Sequence, residues 1–480
     1  MKKIIALLFA VVLAFSMTAC KGKEKTSAVD STELDLGDYS GQTLEVTAID
    51  KGYGYAWLAD AARVFNKATG SRIIVKGDET LNESIARTLQ VGTNVSDVYF
   101  TISTNLQWIE WATKGYIVDI SDTVPDDRFV SEQTSRLGIY NGKRYYYPFS
   151  APPTGFVYNK DYLDRIPSSG EYTQGKFPET WQGLLDLCQA TVDANIKNNG
   201  VQVMPFCWGA TVSDIIYLFS GMWASMDEDG YRAYWDQNDL SADKTQSNKN
   251  LFVNENVKKV IENIYALFNP KQNAKGNYYP SFAVQDATGQ NNLEAEETFL
   301  NGYALFTLTG SWFETEMADI IEDMEADFYH FAPVPSQKSG SKTATHVNYG
   351  EYFCVTGSGK NANIPLAKAF LAYVLSEESC ERIHSALQTP LAYTYDISKV
   401  NLNGWGREIA EAAENSINAV AASDTLVFLS GALNMDLLST PFRNMATRAA
   451  CNADEIMENF YSTQINDWDT RLKNLDPDRA

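Results

Sequence analysis

The alternation of periods between Thr43 and Ile102 constrains this chain more than any other stretch. Thr43 to Ile49 alternates as a strand, and Trp57 to Lys67 carries apolar residues at helical spacing until Thr69-Gly70 stops it. Ser71 to Lys76 reads as a strand, Leu81 to Val91 as a helix and Asp97 to Ile102 as a third strand. This order demands right-handed crossovers and a largely parallel sheet, hence an α/β fold. In such sheets ligands sit beyond the carboxyl ends of the strands. The candidates are therefore Asp50, Lys51 and Tyr53 after the first strand, and Thr101, Ser103 and Asn105 after the third.

Asn141 to Lys160 is the second constraint. It opens with the turn dipeptide Asn141-Gly142 and runs as an aromatic strand from Arg144 to Tyr147. Pro148, Pro152 and Pro153 then interrupt it, and a second β-rich run covers Thr154 to Asn159. Proline supplies no backbone donor, so the cluster suits a strand leaving one sheet and entering another. Clefts between domains are common small-molecule sites, which makes Thr154 a candidate too.

Further along, helices are expected over Thr180 to Ala194, with Thr180 as N-cap, and over Ser213 to Trp223 and Glu255 to Phe268. Met226 to Asn250 reads as acidic and turn-rich. Its Asp227-Glu228-Asp229-Gly230 lacks the twelfth-position Glu of a calcium loop, since Asn238 stands there. A helix over Glu294 to Asn301, a strand over Tyr303 to Leu308 and a helix over Phe313 to Met324 frame Gly310-Ser311-Trp312. Residues 336 to 345 read as a loop and Tyr352 to Thr356 as a strand. Helices follow over Asn363 to Leu375 and Ser376 to Leu387, and the remainder to Leu472 reads as mainly helical.

A formal charge of -22 argues against nucleic acid or anionic lipid as a partner. Lys2 and Lys3, the apolar Ile4 to Phe15 and the small residues before Cys20 read as an export signal over 1–19. Its removal takes away two lysines and shifts the charge from -22 to -24. Residues 20–40 then read as a polar tether. Besides Cys20, the cysteines Cys188, Cys207, Cys354, Cys380 and Cys451 are odd in number and show no C-x-x-C spacing, so several are expected as buried small hydrophobes.

Catalytic signatures are missing. His330, His346 and His384 are the only histidines, none in H-E-x-x-H spacing, and there is no G-x-S-x-G elbow or phosphate loop. Glu294 and Glu296-Glu297 fall on a helix and read as its solvated face rather than as a glycosidase couple. The expectation is a binding protein, with no cofactor and no metal. Tyr145-Tyr146-Tyr147 leaves ferric iron open as a ligand, and an organic anion is the other non-sugar alternative.

Several short elements recur in a set order: Phe65-Asn66-Lys67 with Thr69-Gly70; Asp97-Val98-Tyr99; Gly142-Lys143 with Tyr147-Pro148 and Tyr158-Asn159-Lys160; Pro178-Glu179-Thr180-Trp181; Phe299-x-Asn301-Gly302 with Gly310-Ser311-Trp312; Pro333-Val334-Pro335; and Ala367 to Val374. From about Leu44 to Leu472 the chain resembles the extracellular solute-binding lipoproteins of ABC importers, in the carbohydrate-binding group related to maltose-binding protein. That resemblance implies a two-lobe periplasmic-binding-protein-like fold with a hinge and an interlobe ligand cleft. Lobe 1 would comprise 41–147 with 348–390, and lobe 2 would comprise 155–335 with 394–480. The crossings would lie at 148–154, 333–349 and 389–394.

The same resemblance makes Cys20 a lipidated anchor with Met17 in place of the usual Leu, on a monomer held at the outer face of the cell membrane. Its partners would be a carbohydrate and a permease whose ATPase is a separate chain. Trp312 would stack on a sugar ring, with Asp50 accepting hydroxyl hydrogen bonds, Lys51 donating them and Tyr53 forming a wall. Thr101 stands where the relative has an aromatic, Pro152 where it has a ligand-binding carboxylate, and Thr440 and Pro441 near its C-terminal aromatic platform. The resemblance therefore does not extend to maltodextrin. Sugars present apolar C–H faces and hydroxyls, and Trp208, Trp223, Tyr349 and Glu351 near strand ends are further candidates to meet them.

Overall fold

A computed structural model describes residues 36–102, 107–209, 214–237, 255–272, 274, 278–284, 290–322, 324, 328–338, 340–421, 454–455 and 458. Cys20, Ser103, Asn105, Thr440, Pro441 and Cys451 lie outside them.

The first lobe opens with β1 (Thr43–Ile49), α1 (Ala56–Thr69), β2 (Arg72–Asp78), α2 (Leu81–Val91) and β3 (Val98–Ile102). α1 buries Trp57, Leu58, Ala61, Ala62 and Phe65 along one stripe, and α2 buries Leu81, Ile85 and Leu89. Both helices end on a left-handed glycine, Gly70 at φ 71° and Gly92 at φ 71°. β1 pairs in parallel with β2 and with β3, as the period predicts. Asn141 (φ 51°) and Gly142 (φ 73°) turn a hairpin between Ile139–Tyr140 and Lys143–Arg144.

The chain then forms β4 (Tyr147–Pro148) at the edge of this sheet and enters the other sheet as β5 (Pro153–Asn159). Both prolines occupy positions a ladder tolerates, an edge strand and a first strand residue. Lobe 2 adds α3 (Trp181–Ala194), β6 (Met204–Cys207), α4 (Asp214–Met226), α5 (Glu228–Gln237), α6 (Glu255–Phe268), α7 (Asn292–Leu300), β7 (Ala304–Gly310), β8 (Tyr329–Ala332) and β9 (Ala344–Asn348). The chain returns to lobe 1 through β10 (Glu351–Val355), α8 (Ile364–Val374) and α9 (Glu377–Leu387), and then forms α10 (Gly404–Asn415) and β11 (Ile417–Ala421). The two sheets have the orders β2-β1-β3-β10-β4 and β6-β7-β5-β9-β11, with β8 also pairing with β5. This is the two-lobe α/β fold that the resemblance implies.

Two of the recurring motifs are structural staples. Asp97 accepts from the backbone N–H groups of Glu45 (2.8 Å), Asn361 (2.9 Å) and Ala362 (2.9 Å) and from the Asn361 amide (2.8 Å), tying three segments together. Asn66 bonds both to Ile73 N (2.7 Å) and to Ile73 O (3.0 Å), fixing α1 against β2. Thr180 is the expected cap and accepts from Gly183 N, and Ser376 likewise caps its helix by accepting from Ser379 N.

The structure departs from the sequence reading in several places. β6, β8, β9 and β11 are strands of four or five residues where no strand is expected, too short to display a period of two. α5 fills part of the region read as turns, and Asp227 is its cap, accepting from Gly230 N at 3.0 Å. The helix expected over Phe313 to Met324 is two single turns, Phe313–Glu316 and Ala318–Ile321. Cys188, Cys207, Cys354 and Cys380 are free and buried, and burial pushes the Cys354 and Cys380 thiols up to about 12. Among the described residues, no helix is long and apolar enough to cross a membrane.

Candidate functional site

The loop after β1 and the Gly310-Ser311-Trp312 element at the end of β7 meet through Tyr53 and Ser311. Tyr53 is 4% exposed, and its hydroxyl donates to Thr389 Oγ1 (2.9 Å) and shares a hydrogen bond with Ser311 Oγ (2.9 Å). Ser311 Oγ and Thr389 Oγ1 lie 2.6 Å apart, which closes a ring of three hydroxyls linking lobe 1, lobe 2 and the chain after α9. Burial raises the Tyr53 phenol above its ordinary value and the Glu351 charge adds to this, so the phenol remains a neutral donor.

Beside this ring lies a chain of carboxyls. Glu351, the first residue of β10, accepts from Ser150 Oγ at 2.6 Å. A Cβ at Gly52 would stand 3.9 Å from Glu351 Oε1, so the ligand-loop backbone passes directly over this carboxyl. Burial pushes Glu351 up to about 7; the Ser150 bond opposes the rise and the Glu316 charge reinforces it. Glu316 is itself raised by burial, against the stabilising Gly52 N–H and the Glu296 side chain. Glu296, 1% exposed on α7, accepts from Thr309 Oγ1. Only part of the expected solvated face is therefore correct: Glu294 caps its helix with Asn291 and Glu297 is exposed, but Glu296 is turned inward onto β7.

Trp312 stands half-buried on the lobe 2 side. A Cβ added to Gly310 would fall 2.3 Å from Trp312 Cζ3, so the indole rests against the bare Gly310 Cα. Its other neighbour is Tyr217 of α4, edge-on with ring centroids 6.0 Å apart. Trp312 thus offers an indole supported from beneath and partly open to solvent.

The remaining candidates are distributed differently. Asp50 is half-buried at the end of β1, whereas Lys51 is exposed and faces Glu83 of α2 at 3.9 Å. Trp208 is fully buried against Phe268 (4.7 Å), and Trp223 against Phe219 (6.0 Å) and Tyr231 (5.4 Å). Both are buried among lobe 2 side chains. Thr101 is buried with its hydroxyl on Asn82 Oδ1 (2.8 Å), Thr154 is buried with its hydroxyl on the His346 carbonyl (3.1 Å), and Tyr349 is buried beside Thr134. Sequence reasoning missed Ser150, Ser311, Glu316 and Thr389. Ser311 sits inside the Gly-x-Trp element and Thr389 directly before Pro390, and those positions were the available signal.

Among the described residues no cluster of His, Cys, Asp and Glu could hold a metal ion. An open depression of about 590 Å³ on lobe 1, lined by residues including Glu45, Lys76, Asp78, Ser96 and Lys360, contains none of the groups at the junction. His330 pairs with Glu408 (2.6 Å) and His384 with Tyr395 (2.7 Å).

Tyr53→Phe is expected to leave the fold intact and weaken lobe-to-lobe contact by about 1 kcal/mol, the net value of one buried hydrogen bond. Equilibrium unfolding in urea measures this, and an unchanged midpoint would show that the hydroxyl ring contributes nothing.

The fold aligns with two structures: RafE in complex with raffinose (TM-score 0.61, 18% identity, 89% of this chain and 99% of that one) and apo RafE from Streptococcus pneumoniae (TM-score 0.62, 18% identity, 89% and 98%). No curated sequence matches the chain. The family model of bacterial extracellular solute-binding proteins matches residues 60–393, from α1 to beyond the Thr389 crossing. By that match, the chain belongs to the bacterial extracellular solute-binding protein family.

Proposed function

We propose that this protein captures an extracellular carbohydrate, an oligosaccharide, between its two lobes and delivers it to the membrane permease of an ABC importer. The observation that carries the reading is Trp312, a half-open indole resting on Gly310 and followed by Glu316, in the element whose Ser311 meets Tyr53 of the loop that holds Asp50 and passes over Glu351. Sugars pack C–H faces on aromatic rings and exchange hydrogen bonds with carboxyls and hydroxyls, and this inventory offers both. The RafE structure, similar in fold, is of a protein holding raffinose.

Ligand stabilises the closed arrangement because only there do both lobes contact it, with the chain rotating at 148–154, 333–349 and 389–394. The hydroxyl ring of Tyr53, Ser311 and Thr389 is one direct lobe-to-lobe contact of that closed state, beside the Gly52 N–H on Glu316. Residues 1–19 direct export, and lipid on Cys20 tethers a monomer to the outer face of the membrane. The protein performs no covalent chemistry.

The non-sugar alternatives have less support. Tyr146 and Tyr147 are buried, and Tyr147 donates to Ile120 O (2.9 Å), which leaves only the half-buried Tyr145 of the triplet towards solvent and gives ferric iron little support. Among the described residues no lysine or arginine pairs with Glu316 or Glu351, which disfavours an organic anion.

Calorimetric titration with raffinose and a panel of other saccharides tests the proposal. One saccharide bound per chain is expected. No heat with any saccharide, together with binding of ferric iron or an organic anion, would overturn it.

A further inference from the structure

His346 sits in a position that neither the fold nor the carboxyl cluster accounts for. It is 1% exposed, and among the described residues neither Nδ1 nor Nε2 has a hydrogen-bond partner. A buried polar group left unmade is costly, so a group of this kind needs a partner that arrives in another state of the protein.

The sheet register shows where that partner would come from. Thr154 lies opposite Gly310 on one side and His346 on the other, at the end of the sheet where the chain enters lobe 2. Directly opposed residues in antiparallel pairs project to the same face. The imidazole is therefore on the face where the Trp312 indole covers Gly310. Tyr217 stands between them, its ring 5.0 Å from His346 and 6.0 Å from Trp312.

We propose that His346 reads the bound saccharide: when a sugar ring stacks on Trp312, Tyr217 yields and a ligand hydroxyl, directly or through one water, pairs with the imidazole. This deepens the carbohydrate reading and rests on it. A neutral imidazole presents one donor and one acceptor. A hydroxyl matches both, whereas a carboxylate only accepts and an ammonium only donates, so the position selects hydroxylated ligands. Burial holds the ring neutral by lowering its pKa to about 3, so this contact does not change across the physiological range.

The test titrates wild type, His346→Leu and His346→Asn with raffinose and the saccharide panel, with unliganded thermal midpoints measured in parallel. The expected result is at least a tenfold weaker affinity for His346→Leu, a midpoint equal to or above wild type, and partial recovery in His346→Asn, whose amide again both donates and accepts. Wild-type affinity in His346→Leu would overturn the inference and leave the carbohydrate reading standing. A wild type that binds no saccharide would overturn both.

Discussion

A chain carrying Trp312→Ala is expected to fold and to lose its saccharide, with affinity down at least about 100-fold. The indole is half-buried and lies on a glycine, so its removal uncovers Gly310 without opening a deep cavity. Its cost to stability should stay at about 2 kcal/mol or below, under the ~3–5 kcal/mol of truncating a fully buried tryptophan. Trp312→Phe keeps an aromatic face and should recover much of the binding. Calorimetry and thermal unfolding on both variants separate the two effects. Unchanged affinity in Trp312→Ala would remove this residue from the site, and an unfolded variant would assign it to the core.

Glu351→Gln should make the protein more stable at pH 8 than wild type, with the gap closing towards pH 5. The group is an acid whose native pKa is raised by burial, to about 7 from its ordinary value of 4.5. Between those two values the native state binds more protons than the unfolded state, so stability falls as pH rises. The favourable term is fully present below about 4.5 and is lost as pH climbs through 7. A shift of this size corresponds to on the order of 3 kcal/mol. Glutamine keeps a partner for Ser150 and carries no charge against Glu316, which is held high by the same burial and will leave a smaller residual slope in the variant. Denaturant unfolding at pH 5 and pH 8 reads the difference. A gap that stays the same at both pH values would show that Glu351 is not charged at a cost in the native state.

The periodic parts of this fold were legible in the sequence because their signals are local. The β1-α1-β2-α2-β3 unit, the Asn141-Gly142 hairpin and the Thr180 cap each depend on residues a few positions apart. β6 and β9 escaped for a different reason. β6 holds four residues including Pro205, and β9 reads Ala-Thr-His-Val-Asn, so their pairing comes from neighbouring strands rather than from their own composition.

At the site, Trp312, Tyr53 and Glu351 could be named from strand ends, but their partners could not. Tyr53 reaches Ser311 and Thr389 across 258 and 336 positions of chain, and nothing in one sequence marks such a contact. Glu296 shows the same limit on a single helix. Its neighbours Glu294 and Glu297 do face water, and only packing against Thr309 of β7 turns Glu296 inward. Trp208 and Trp223 follow the general tendency of tryptophan to be buried, and strand-end position alone did not distinguish them from Trp312.

The central claim, that the native state holds a saccharide, is tested most directly by a thermal-shift screen of the protein against mono- and oligosaccharides, amino acids, organic anions and metal ions. A ligand bound only by the native state adds about 2.7 kcal/mol at a hundredfold excess over its dissociation constant. The account predicts a raised midpoint with one class of saccharide and none with the others. A midpoint raised only by ferric iron or an organic anion would contradict it.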